Sequence, residues 1–174
     1  MIRVCAATEE DAEAIARIQI AAWRNGYRHI VPAGWLDELD EGDRAGRWRG
    51  RLGTSALPDS PTFVAVDGGD AVVGFVHTGP LRDEDLSPQG RAEIYTLYVH
   101  PRAWRRGVGS ALLETVTAFW ALTGVRELFL WVFEANAESR AFYEALGWRP
   151  DGATQVDDFG DAQPVEVRYR RRLA

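Results

Sequence analysis

The sequence predicts an α+β domain: a mixed sheet of about seven strands, flanked by helices. Three observations carry that prediction. Short apolar strands and amphipathic helices succeed one another in the order β-α-α-ββ-β-α-β-α-ββ, which gives a helix-covered mixed sheet and not a doubly wound parallel one. At 174 residues, with 46% hydrophobic and 26% charged residues, the chain fits one globular domain, 1–174. No repeat or second composition regime divides it.

Along the chain, Ile2 to Ala6 reads as a first strand, and Thr8 as the N-cap of a helix from about Glu9 to Asn25 striped by Ile15, Ile18 and Ala22. Pro32 suits the start of a short helix ending by Leu39, and a further helix runs from Asp43 to Leu52. Two prolines and a glycine make residues 53–61 a loop. Thr62 to Val66 and Ala71 to His77 form a hairpin whose Gly68-Gly69 turn would supply positive φ. Residues 81–90 form an acidic surface loop before a long strand, 92–99. A helix follows from about Gly107 to Leu122, with Val108, Leu112, Val116 and Phe119 on one face. A strand over 128–133, a helix over 137–146 and a hairpin over 154–157 and 165–172 close the order. In that last strand, alternation of Arg168, Arg170 and Arg172 predicts a solvated side.

The most informative stretch is 93–113. An apolar strand stops at His100-Pro101 and gives way to Arg105-Arg106-Gly107-Val108-Gly109-Ser110, which opens a helix. Glycines let backbone approach a ligand closely, and the first amides of a helix are unsatisfied donors at the positive end of its dipole. With two arginines beside them, the combination suits a phosphate or pyrophosphate. All 20 basic residues are arginine, so no Walker A lysine exists. The dinucleotide fingerprint fails at its third glycine, where Leu112 stands.

In these residues the chain resembles the GNAT superfamily of acetyl-CoA-dependent N-acetyltransferases. Its motif is Gln/Arg-x-x-Gly-x-Gly/Ala; Gly107 and Gly109 match, while Trp104 departs from it. A second block, Asn136 through Ser139 and Tyr143 to Gly147-Trp148, resembles the family's N-x-x-S-x-x-x-Y-x-x-x-G-F/W. The resemblance implies acetyl-CoA as co-substrate and a fold whose fourth and fifth strands splay into a V. It implies that residues Arg105, Arg106, Gly107, Val108, Gly109 and Ser110 hold the pyrophosphate. Backbone groups of Leu97, Tyr98 and Val99, with the amide of Asn136, would receive the pantetheine arm. It further implies that Tyr143 serves the leaving thiolate and that Glu93 is the general base for the amine. An alkylammonium is only on the order of one part in a thousand neutral near pH 7.4, so a base is needed. Trp23 and Tyr27, in an aromatic-rich N-terminal third that also holds Trp35 and Trp48, are candidates for the acceptor wall.

Bland alternatives accompany each assignment: a solvated carboxylate at Glu93, a core aromatic at Tyr143, a plain helix cap at Asn136. The acidic run Asp37, Glu38, Asp40, Glu41, Asp43 reads as a solvated face. The net charge of −6 argues against nucleic acid. No apolar run is long enough to span a bilayer, and no signal-peptide pattern opens the chain. One cysteine, Cys5, and three scattered histidines offer neither a disulfide nor metal-ligand spacing, and a cytoplasmic location is expected. The acceptor is an amine, either small or on a protein. A non-catalytic acyl-CoA-binding sensor and a transferase of larger acyl groups are the alternatives, and a homodimer stays open.

Overall fold

The computed structural model describes residues 1–54 and 59–173. One seven-stranded sheet runs through it in the order β1-β2-β3-β4-β5-β7-β6. The strands are β1 (Arg3–Ala6), β2 (Thr62–Val66), β3 (Val72–Pro80), β4 (Arg91–Val99), β5 (Glu127–Phe133), β6 (Arg149–Val156) and β7 (Val165–Arg172). The helices are α1 (Ala12–Gly26), α2 (Ala33–Asp37), α3 (Glu41–Thr54), α4 (Val108–Leu122) and α5 (Ala137–Ala145). All neighbouring strands pair antiparallel except β4 and β5, so the expected mixed sheet is observed.

Two cores sandwich the sheet. On one face, Val108, Leu112, Leu113 and Val116 of α4 pack with Ile94, Leu128, Leu130, Trp148 and Tyr169. On the other, Ile15 and Ile18 of α1 and Trp48 of α3 cover Val64, Val66 and Phe75. Each fully buried Val, Leu or Ile contributes roughly 1.5–3 kcal/mol, which outweighs any single capping interaction.

Several local details differ from expectation for identifiable reasons. Thr8 opens a turn of 3-10 helix, Glu9–Asp11, where its N–H donates to the Asp11 carboxylate at 2.8 Å, and α1 proper begins only at Ala12. In the β2–β3 turn the positive φ belongs to Asp70 (59°), not to Gly68 or Gly69. Asp67 fixes that turn by accepting from the amides of Gly69 and Ala71 at 2.9 and 3.1 Å. β6 starts at Arg149, five residues before the expected 154, and it contains Pro150. As the outer strand it tolerates a proline, and its register shifts between Pro150 and Thr154. Of the loop expected over 53–61, residues 55–58 lie outside the described residues.

β4 parts from β5 after a short stretch. Pairing runs only from Arg91 with Glu127 to Ile94 with Leu130. At the same level β4 carries an extra residue, because His77 faces Thr96 while Thr78 faces Ile94. Such a bulge increases local twist, which carries Thr96 to Val99 away from β5 and opens the V.

Candidate active site

The loop between β4 and α4 is a concave run of free donors. Arg105 (φ 59°) and Gly107 (φ 79°) are both left-handed, with Arg106 between them. Alternation of this kind turns successive amides toward one side, forming an anion-binding nest. The amides of residues 105–110 find no hydrogen-bond acceptor among the described residues, the first such bond of α4 being Ala111 N–H to Gly107 O at 3.0 Å. Gly107 is the residue type its φ demands. Gly109 answers a different need: a Cβ there would lie 3.0 Å from Cζ of Phe142, so its smallness lets α5 approach α4. Trp104, 41% exposed at the motif's Gln/Arg position, donates its indole N–H to Val99 O at 2.7 Å and ties the loop to the end of β4.

Inside the V, β4 alternates its backbone groups between β3 and the opening. His100 N–H donates to Val73 O at 2.9 Å, so by antiparallel alternation Tyr98 is bonded to β3 while Leu97 and Val99 face the gap. The expectation for Tyr98 is corrected accordingly: its backbone belongs to the sheet and its side chain to the opposite wall. Asn136 caps α5, its Oδ1 accepting from Ser139 N–H at 3.1 Å, which is the bland reading given above. Tyr143, one and a half turns into α5, is buried between Trp148 and Tyr169, with ring centroids 6.0 and 6.4 Å away. Burial, reinforced by Tyr98, pushes its phenol well above the usual range, and no hydrogen bond to the phenolate offsets this. Tyr143 is therefore a neutral donor at any working pH.

Glu93 does not stand at a solvated strand mouth. It is 2% exposed and pairs with Phe129 just before the strands part. Its Oε1 accepts from Arg82 Nη2 at 2.7 Å, and its Oε2 accepts from Arg82 Nε at 3.2 Å and Arg82 N–H at 3.1 Å. The same guanidinium lies 3.9 Å from the Tyr95 ring centroid. Both carboxylate oxygens are thereby committed to anchoring the loop over 81–90.

That loop is strapped a second time, by a residue expected in water. Arg168 is 4% exposed and bonds Asp83 (3.2 Å), Asp85 (2.7 and 2.8 Å) and Asp151 (2.8 Å). Its guanidinium also lies over Trp131 and Phe129. The predicted alternation along β7 is observed, but only Arg170 and Arg172 are exposed. Arg168 faces a side that the loop covers.

On this face, past the end of the paired region, an aromatic wall assembles. Trp23 stacks on Trp35 at 5.0 Å and meets Tyr27 edge-on at 4.9 Å. Tyr27 meets Phe133 at 5.0 Å, and Trp35 meets Phe159 at 4.9 Å. Tyr98 approaches Trp23 and Tyr27 at 6.3 and 6.4 Å. Trp48 is not part of it. It lies in the core against Phe75, and its N–H donates to Gln19 at 3.0 Å. His77, whose Nδ1 lies 2.9 Å from the Thr62 hydroxyl, is held down to about 4 by burial and stays neutral at ordinary pH. The acidic run caps and pairs locally: Asp40 accepts from Asp43 N–H, and Asp43 pairs with Arg47. Sequence reasoning missed Phe159 and Glu166, of which the latter pairs in register with Phe133 on the same face. Among the described residues no group of His, Cys, Asp and Glu could hold a metal ion, and no helix is long and apolar enough to cross a membrane.

The splayed β4–β5 pair, the donor loop opening α4 and the tyrosine on α5 are the features that the resemblance implied. The family profile of the acetyltransferase (GNAT) family matches residues 10–148, and the chain belongs to that family. It is an acetyl-CoA-dependent N-acetyltransferase. An uncharacterized N-acetyltransferase of Bacillus subtilis, YuaI, is 33% identical over 145 residues, covering 83% of this chain and 79% of the relative. The peptidyl-lysine N-acetyltransferase YjaB of Salmonella typhimurium is 28% identical over 169 residues, 95% of each chain. Among solved structures, the PaiA N-acetyltransferase of Thermoplasma acidophilum, in complex with coenzyme A, superposes with a TM-score of 0.75 at 17% identity over 99% of each chain, a likeness of fold.

Proposed function

We propose that acetyl-CoA lies in the V with its pyrophosphate on residues 105–110, and that an amine arriving from the aromatic face attacks the thioester directly. The free amides of the left-handed loop carry this reading. Leu97 offers its backbone groups and Val99 its N–H to the pantetheine arm, the Val99 carbonyl being held by the Trp104 indole, and one of these N–H groups would polarise the thioester carbonyl as charge develops on its oxygen. Tyr143 then donates to the departing thiolate. An ordinary tyrosine is already a weaker acid than a thiol by about 2 kcal/mol, and its burial widens the gap, so hydrogen-bond donation matters more than full transfer. Direct attack is supported by the position of Cys5 on β1, three strands from β4, where it could not form an acetyl-enzyme in the cleft.

That unpaired thiol also suits a reducing compartment, so we place the protein in the cytoplasm. The experiment is a thermal-unfolding series with CoA, ATP and NAD. CoA at about 100 times its Kd should stabilise the native state by about 2.7 kcal/mol. Equal or smaller stabilisation by CoA than by ATP would overturn the assignment.

A further inference from the structure

Several strand carboxylates lie on the face of the sheet that bears the aromatic wall, and arginines hold all but one: Glu127 pairs with Arg91 and Asp151 with Arg168. Both oxygens of Glu93 are taken by Arg82. Glu166, on β7 opposite Phe133, uses Oε2 to accept from Gln155 Nε2 at 2.7 Å; among the described residues its Oε1 accepts nothing and it forms no ion pair. The cation two residues along the strand, Arg168, is consumed by Asp83, Asp85 and Asp151.

We propose that Glu166 receives the acceptor's ammonium group and takes its proton, and that the acceptor is a primary alkylammonium on an apolar or aromatic body. The inference rests on the acetyl-CoA reading above and adds the substrate class and the base. Trp23, Tyr27, Trp35, Phe133 and Phe159 supply apolar surface and ring faces, which attract a cation as well as a hydrocarbon. Arg44, 5.9 Å from the Trp23 centroid, already rests a guanidinium at this wall. The buried indole N–H of Trp23 has no bonded partner among the described residues, although it lies near enough to the Tyr98 hydroxyl to favour its ionised form. Glu166 is felt on this side of the sheet, since its charge helps raise the phenols of Tyr27 and Tyr98.

The groups facing Glu166 tune it as a base. Burial raises its carboxyl above the usual range, Asp157 and Glu93 raise it further, and Gln155 and Arg82 oppose them. In the step itself, one N–H proton of the ammonium moves to Glu166, leaving the lone pair on nitrogen. That pair forms the C–N bond to the acetyl carbonyl carbon. The C–S bond then breaks with its electron pair on the CoA sulfur, where Tyr143 donates a hydrogen bond to the thiolate. The second nitrogen proton reaches that sulfur through water, and Glu166 returns its own proton to solvent. One proton is released per turnover.

Two isosteric probes separate charge from shape: 2-phenylethylamine, a cation at pH 7, and O-benzylhydroxylamine, neutral there. Glu166→Gln keeps the bond to Gln155 and should lower kcat/KM for 2-phenylethylamine by about 10²-fold or more, erasing the acid limb of its pH profile. O-Benzylhydroxylamine, which needs no base before attack, should lose less than about fivefold. Glu166→Asp should retain the limb at an intermediate rate. Equal losses for both probes, flat across pH, would overturn the proposal. So would a wild-type protein that CoA stabilises but that acetylates neither probe. Failure of CoA to stabilise the wild type would instead defeat the underlying acetyl-CoA reading, and this inference with it.

Discussion

The two sides of the cleft are built in different ways. The α4 side is a consecutive run: residues 105–110 supply free amides because Arg105 and Gly107 adopt left-handed φ ahead of a fifteen-residue helix. The opposite face draws Trp23 and Tyr27 from α1, Trp35 from α2, Tyr98 from β4, Phe133 from β5 and Phe159 and Glu166 from the β6–β7 hairpin. A phosphate is recognised by backbone, which any sequence carries, so few side chains define that half. An amine's body is recognised by side chains, which only the completed fold brings together. The difference predicts that damage on one side should leave the other working.

The largest effect is expected where the two sides meet. Tyr143→Phe removes a hydroxyl that no hydrogen bond among the described residues engages, so stability and CoA affinity should hold while turnover falls by about 10²–10⁴-fold. A loss below about threefold, read by thiol release, would show that solvent serves the thiolate. A smaller effect, on stability alone, is expected from the face that bears the aromatic wall. Arg168→Met would leave the largely covered carboxylates of Asp83 and Asp151 without their cation, at a cost of about 3 kcal/mol in urea unfolding, with CoA affinity retained. A change below about 1 kcal/mol would mean that the loop over 81–90 is held by Arg82 and Glu93 without help.

How much of this was legible follows the same division. The α4 junction and the Asn136–Trp148 block read directly, because their geometry is fixed by neighbours a few residues away. Along β7 the period of two also read correctly. What failed was the step from polar to solvated at Arg168, which alternates with Val167 and Tyr169 as on a half-exposed strand, yet the loop arriving from 81–90 covers that side; Glu166 went unread on the same strand. Phe159 sits in Asp157-Asp158-Phe159-Gly160-Asp161, the composition of an exposed turn, and only its contacts with Trp35 and Trp23 reveal it as wall. The surroundings of Glu93 were equally hidden. Its position before an apolar strand suited a base, and nothing local announced that Arg82 would close over it.

The most direct test of the two-sided cleft is the dissociation constant of CoA, measured calorimetrically on the wild type, Gly107→Val and Glu166→Gln. A β-branched residue at φ 79° forces the loop out of its left-handed turn and should weaken CoA by on the order of tenfold or more. Glu166→Gln, on the far wall, should leave the constant within about twofold. Equal weakening by both substitutions, or undiminished affinity in a folded Gly107→Val, would contradict the account.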